Sequence, residues 1–93
     1  MRQKDITINK TFSLALQNHR KNNFKIAESL YRKILAIDSN HFKSIFLLGS
    51  LLMQVKNFDE AKRLLQKAIE IQPDHADAHN NLGLVFKELG ERR

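Results

Sequence analysis

Asn23-Phe24-x-x-Ala27-x-x-Leu30-x-x-Lys33-x-x-x-Ile37-x-x-x-His41 returns 34 residues later as Asn57-Phe58-x-x-Ala61-x-x-Leu64-x-x-Lys67-x-x-x-Ile71-x-x-x-His75. Leu48-Gly49 recurs as Leu82-Gly83 at the same shift. One period relating several independent matches marks an array of units, each too small to bury its apolar face alone.

Working outward, each unit reads as two helices. Residues 42–55 and 58–71 are apolar segments of helix length. In the second, Phe58, Ala61, Leu64, Leu65, Ala68, Ile69 and Ile71 fall near helical spacing. Asn57 is read as the N-cap between them, with Asp59 and Glu60 in the first turn, where acids favour the helix dipole. Gln72-Pro73-Asp74 ends the second helix, since proline offers no amide hydrogen and disfavours helix before it. Asp74 is then expected to cap a helix over 76–89 that stops at Gly90, a residue suited to a left-handed C-terminus. One period earlier, Asn23 caps 24–37 and Asp38-Ser39-Asn40 is the turn. A first helix over about 7–19 completes five helices, joined by turns short enough to make neighbours antiparallel. No strand pattern competes.

These residues resemble the tetratricopeptide repeat family, whose unit of 34 residues places Leu-Gly in its first helix and a proline near its end. Residues 42–75 match at Leu48, Gly49, Ala61, Ala68 and Pro73, with Ile45, Leu52 and Leu65 as aliphatic stand-ins. Residues 76–93 match at Leu82, Gly83 and Phe86, and put His79 where the family has an inward-facing tryptophan. Residues 8–41 fit at Leu14, Ala15, Ala27 and Tyr31 but depart at Thr11, Asn18, Ile34 and Ser39. The resemblance implies an all-α fold of stacked antiparallel hairpins, a short right-handed solenoid. It divides the single domain into an extension (1–7), repeats at 8–41 and 42–75, and the first helix of a third unit at 76–93. Such solenoids normally close on a polar capping helix. The third unit has none, so the expectation is a fragment whose parent continues past Arg93.

Small residues follow from packing. A mid-helix glycine costs about 1 kcal/mol relative to alanine. Gly49 and Gly83 are therefore both expected where a neighbouring helix comes close, with Ala27, Ala61 and Ala68 serving the same end. Phe24 and Phe58 are expected to fill the space where each hairpin turns.

Composition narrows the function. The chain has 93 residues, no cysteine and a formal charge of +6. Disulfides, thiolate nucleophiles and cysteine-held metals are thereby excluded. The amino terminus lacks the apolar core of a secretion signal, and the apolar-rich stretch 45–55 is about half the roughly 20 residues a bilayer requires. A soluble, cytoplasmic protein is expected. The charge is concentrated early: residues 1–41 hold eight Lys or Arg against three Asp or Glu. Nucleic acid or an acidic partner could answer it. With no interleaved aromatic residues, a solvated helix face is the preferred reading, and nucleic acid is not expected.

No phosphate loop, nucleophile motif or isolated carboxylate pair points to catalysis. Asp74, His75, Asp77 and His79 form the one cluster with metal-like spacing, but turn and packing roles account for all four. No metal, cofactor or catalytic residue is expected, and His19 and His41 are read as having no partners.

The resemblance points instead to the concave face lined by each unit's first helix. It assigns partner binding to Phe12, Leu16, Lys43, Phe46, Leu47, Ser50, Met53, Asn80, Asn81 and Leu84. Exposed apolar strips mark partner surfaces, although mid-helix apolar residues also pack between hairpins. Family members that clamp a terminal carboxylate use Lys and Asn at positions where this chain has Phe12, Leu16 and Leu47. Asn81 and its surroundings resemble the repeat arm of O-linked N-acetylglucosamine transferases. The expected function is a protein-interaction scaffold for a peptide or helix, with a recruitment arm of a larger transferase as the rival. Self-association is expected too, through Leu82, Val85, Phe86 and Leu89 on the last helix.

Overall fold

The structure is a computed structural model that describes residues 2–90; Met1 and 91–93, the ends of the expected extension and third unit, lie outside them. Five helices follow in order: α1 (Gln3–Arg20), α2 (Phe24–Ile37), α3 (Phe42–Gln54), α4 (Phe58–Ile71) and α5 (Ala76–Glu88). No strand occurs among the described residues. α1 packs on α2 and α3 on α4. α2 meets α3, and α5 lies against α4 with a lighter touch on α3. The result is an elongated all-α stack of 44 × 27 × 19 Å.

The first helix starts at Gln3, earlier than the expected residue 7. The Arg2 carbonyl receives the amides of Asp5 and Ile6, Asp5 sits in the first turn, and Ile8 is buried. The polar composition of 1–7 hid a turn that Ile8 anchors to the core. Leu14 is 50% exposed, whereas Leu48 at the same repeat position is fully buried.

One position explains the hairpin turns. Asn22, Lys56 and Gly90 are spaced by the repeat, and all three are left-handed, with φ of 63°, 67° and 75°. After α1, the Asn22 amide donates to the His19 carbonyl and the Asn23 amide to the Asn18 carbonyl. After α3, the Lys56 amide donates to Met53 and the Asn57 amide to Leu52. These paired bonds satisfy the carbonyls a helix end leaves open. Lysine is the poorest of the three residues for this conformation, because its Cβ is strained there. Lys56→Gly should therefore raise stability by up to about 1 kcal/mol in a thermal or urea melt.

The same turns overturn the expected caps. Asn23 and Asn57 do stand at the N-cap positions, but neither side chain makes a capping bond. Their backbone already closes the preceding helix, and ψ of 69° and 75° holds them short of the extended form that aims a side chain at the first amides. Asn23 Nδ2 donates instead to Asn18 Oδ1. Asp74 does not cap α5. His75 does, its ring accepting the Ala78 amide at 3.1 Å. His41 caps α3 likewise through the Ser44 amide at 3.3 Å.

The principal core joins Ala15, Ala27, Tyr31, Leu48, Leu51, Leu52, Ala61, Leu65 and Val85. A smaller cluster of Ile45, Ala68 and Ala78 links α3, α4 and α5. Phe24 and Phe58 pack half-buried against the main core. Gly49 meets its expectation: an added Cβ would lie 3.0 Å from Leu65 Cγ and 3.4 Å from Leu64 Cβ. Gly83 does not, since a Cβ there would meet nothing within 4 Å. No helix covers that side of α5 among the described residues. His79 is also not inward-facing; it is exposed, and its Nε2 donates to the Pro73 carbonyl at 2.6 Å. The apolar face expected on α5 is narrower than its sequence implies. Val85 is fully buried in the main core, and Leu82 and Leu89 pack against that core.

Candidate functional site

Two cavities flank α3, and Leu47 lines both. The first, about 590 Å³, lies toward the start of α3 and is lined by His41, Phe42, Lys43, Phe46, Leu47, Gln72 and His75. The second, about 460 Å³, lies between α1 and α3 and is lined by Leu16, His19, Arg20, Asn22, Leu47 and Gln54. Of the ten residues assigned from sequence, Leu16, Lys43, Phe46 and Leu47 are thus brought to open cavities.

The other six divide. Phe12 turns toward the interior, its ring 6.3 Å from Tyr31 and 5.5 Å from His41. Met53 packs half-buried on the main core. Ser50 Oγ donates to the Phe46 carbonyl and accepts from Asn81 Nδ2 at 3.0 Å, so Ser50 and Asn81 tie α3 to α5. Asn80 and Leu84 are exposed and line neither cavity.

Several residues of the site were not read from the sequence. Phe42 and Phe46 lie parallel with centroids 6.1 Å apart, and the His75 ring stands edge-on to them at 4.9 and 4.8 Å. The 34-residue spacing of His41 and His75 was a visible signal. Histidine is not among the favoured N-cap residues, so the spacing did not suggest a cap. His19 also has partners, contrary to expectation: Nδ1 is 2.9 Å from Tyr31 Oη, and Nε2 is 2.6 Å from Gln54 Oε1. An amide oxygen can only accept, so Nε2 carries the hydrogen and the tyrosine hydroxyl donates to Nδ1. This relay pins α1, α2 and α3 together at the floor of the second cavity. Burial pushes the Tyr31 hydroxyl up to about 12, against the smaller opposing pull of Arg20.

Charge around the groove is uneven. Arg20 and Lys43 are exposed, and neither has a carboxylate within ion-pair distance among the described residues. Between α2 and α4 the balance is different: Arg32 bridges Glu28 of its own helix and Glu60 of α4, both at 2.9 Å. Among the described residues, no group of three or more His, Cys, Asp or Glu side chains is placed to hold a metal ion. No helix there is long and apolar enough to cross a membrane.

Comparison with known proteins agrees with this geometry. A family model described as TPR repeat matches residues 49–90. A UDP-N-acetylglucosamine–peptide N-acetylglucosaminyltransferase from Caenorhabditis elegans is 28% identical over 85 residues, 91% of this chain and 7% of that protein. The protein O-mannosyl-transferase Tmtc2 of Drosophila melanogaster is 40% identical over 70 residues, 74% of this chain and 7% of that protein. Among solved structures, a mutant O-GlcNAc transferase from Thermobaculum terrenum superposes with a TM-score of 0.87 at 28% identity, covering 92% of this chain and 16% of that one. The chain therefore spans less than a tenth of the length of these curated relatives.

Proposed function

This chain is a tetratricopeptide repeat protein, and on that premise we propose that it is a non-enzymatic scaffold whose concave groove holds a peptide or helix of another protein in the cytoplasm. The observation that carries the reading is the pair of open cavities meeting at Leu47, with Leu16, Lys43 and Phe46 on their walls. Ligand sites combine apolar walls with a few polar groups that fix orientation, and these cavities have both. Within the reading, repeats at 8–41 and 42–75 supply the groove, and 76–93 contributes Asn80, Asn81 and Leu84 at one end.

The test is direct binding. Peptides selected by display on the immobilised wild-type chain are remeasured against Phe46→Ala with Leu47→Ala, the two residues at the meeting of the cavities. Large apolar side chains near the centre of an interface usually carry most of its energy, so affinity should fall at least about tenfold. Circular dichroism should show helicity nearly intact. Undiminished affinity in the double variant would return both residues to a purely structural role.

A second reading is favoured by the two curated relatives named above, both transferases: the groove would recruit substrate proteins for a catalytic part elsewhere in a longer polypeptide. The two readings share the groove and differ in what it serves. Coding sequence on either side of these 93 residues separates them.

A further inference from the structure

The cavity at the start of α3 has a chemistry that narrows the partner. Its walls offer two half-buried phenyl rings, the ammonium of Lys43 and the Gln72 amide, together with two imidazoles. Both imidazoles are fixed by their capping role. Nδ1 of His41 accepts the Ser44 amide and Nδ1 of His75 accepts the Ala78 amide. A ring nitrogen that accepts carries no hydrogen, so the neutral ring has its hydrogen on Nε2, which can only donate. Neither Nε2 has an acceptor within hydrogen-bond distance among the described residues. No Asp or Glu lines the cavity; Asp74, in the adjoining turn, lines a neighbouring depression that shares Gln72 and His75 with it. The cavity thus gathers hydrogen-bond donors and a cation over an aromatic floor, and it holds no anion of its own.

We infer that this cavity receives an acidic side chain flanked by a large apolar one, both carried on an extended peptide that runs along α3. The inference rests on the groove being a peptide site, and it adds the peptide's character. The carboxylate meets Lys43 and the Nε2 hydrogens of His41 and His75, while its apolar neighbour covers Phe42 and Phe46. Beyond Leu47 the peptide enters the second cavity, where the Arg20 guanidinium takes a second acid. From Lys43 to Gln54 the helix rises roughly 16 Å, which an extended chain spans in about five residues. Two acids about five residues apart, with an aromatic or aliphatic residue beside the first, describe the partner. An RNA strand fits these walls less well, because bases stack on open ring faces and these rings already pack against one another and against His75.

The experiment uses fluorescence anisotropy with two labelled octapeptide pools. One has Glu beside Phe or Leu at its centre and the other positions degenerate; the second has Gln in place of that Glu. The wild-type chain should bind the Glu pool about tenfold or more tightly than the Gln pool, a difference of about 1.4 kcal/mol. Lys43→Glu should abolish or reverse that preference with an unchanged circular dichroism spectrum, because Lys43 is exposed. Equal binding of both pools, still weakened by Phe46→Ala, would overturn the acidic preference and leave the groove reading standing. Failure of both pools would overturn the two together. Binding of a labelled RNA oligomer that Lys43→Glu abolishes, with no peptide binding, would replace this proposal with a nucleic-acid site.

Discussion

Gly49→Leu should destabilise the chain by about 1–3 kcal/mol, while Gly83→Ala, at the same position of the next repeat, should stabilise it by about 1 kcal/mol. The opposite signs come from what each glycine faces. At Gly49 a Cβ already lies 3.0 Å from Leu65 Cγ and 3.2 Å from its Cδ2, so a leucine must displace the α4 side chain that fills the hairpin. Leu65 is fully buried in the main core and has little room to yield. At Gly83 a Cβ meets nothing within 4 Å, and alanine simply restores mid-helix propensity. For a domain of this size, 1 kcal/mol moves the midpoint by about 4–8 °C, so the two variants should melt on opposite sides of wild type. Measured at a concentration where the chain is monomeric, a Gly83→Ala variant that melts below wild type would mean that the space is occupied within the chain after all. An unshifted Gly49→Leu would remove the close approach assigned to α3 and α4.

That contrast shows what the sequence could and could not tell. The period, the helices and the buried small residues were legible because they depend on patterns within one repeat. The same pattern misled at Gly83, since identical residues were taken to have identical neighbours, and a neighbouring helix is not encoded in the helix it covers. The caps failed differently. Asparagine and aspartate are the favoured N-cap residues, yet here the left-handed residues Asn22 and Lys56 commit the following asparagine backbone before its side chain can act. In the site, the apolar residues on α3 were readable from helical spacing. The rings and donors around them come from turns, where His41, Gln72 and His75 meet only after the chain has folded back.

The open side of α5 leads to the other large effect expected: chains of this sequence should associate in pairs. His79, Leu82, Gly83 and Phe86 occupy the repeat positions of Ile45, Leu48, Gly49 and Leu52, all of which are buried beneath neighbouring helices. On α5 the four stay exposed or half-buried, with Leu84 beside them 46% exposed. Fully burying a large apolar side chain gains roughly 1.5–3 kcal/mol, and each half-covered residue here can recover part of that. A second copy is the occupant argued for. Gly83 leaves a smooth strip on which another helix can lie close, and α5 against α5 about a two-fold axis uses the same strip twice. Light scattering at micromolar concentration should then give a mass near twice 10.8 kDa. The decisive variant is Gly83→Leu. Within one chain the leucine enters open space and leaves the fold unchanged, but between two chains it stands where the helices must approach. The variant should be monomeric with an undiminished melting temperature at low concentration. Phe86→Glu should act alike, because it sets a charge on the strip that two apolar helix faces would otherwise share. A dimer that survives Gly83→Leu would place the contact on another face, and a monomeric wild type at high concentration would end the proposal.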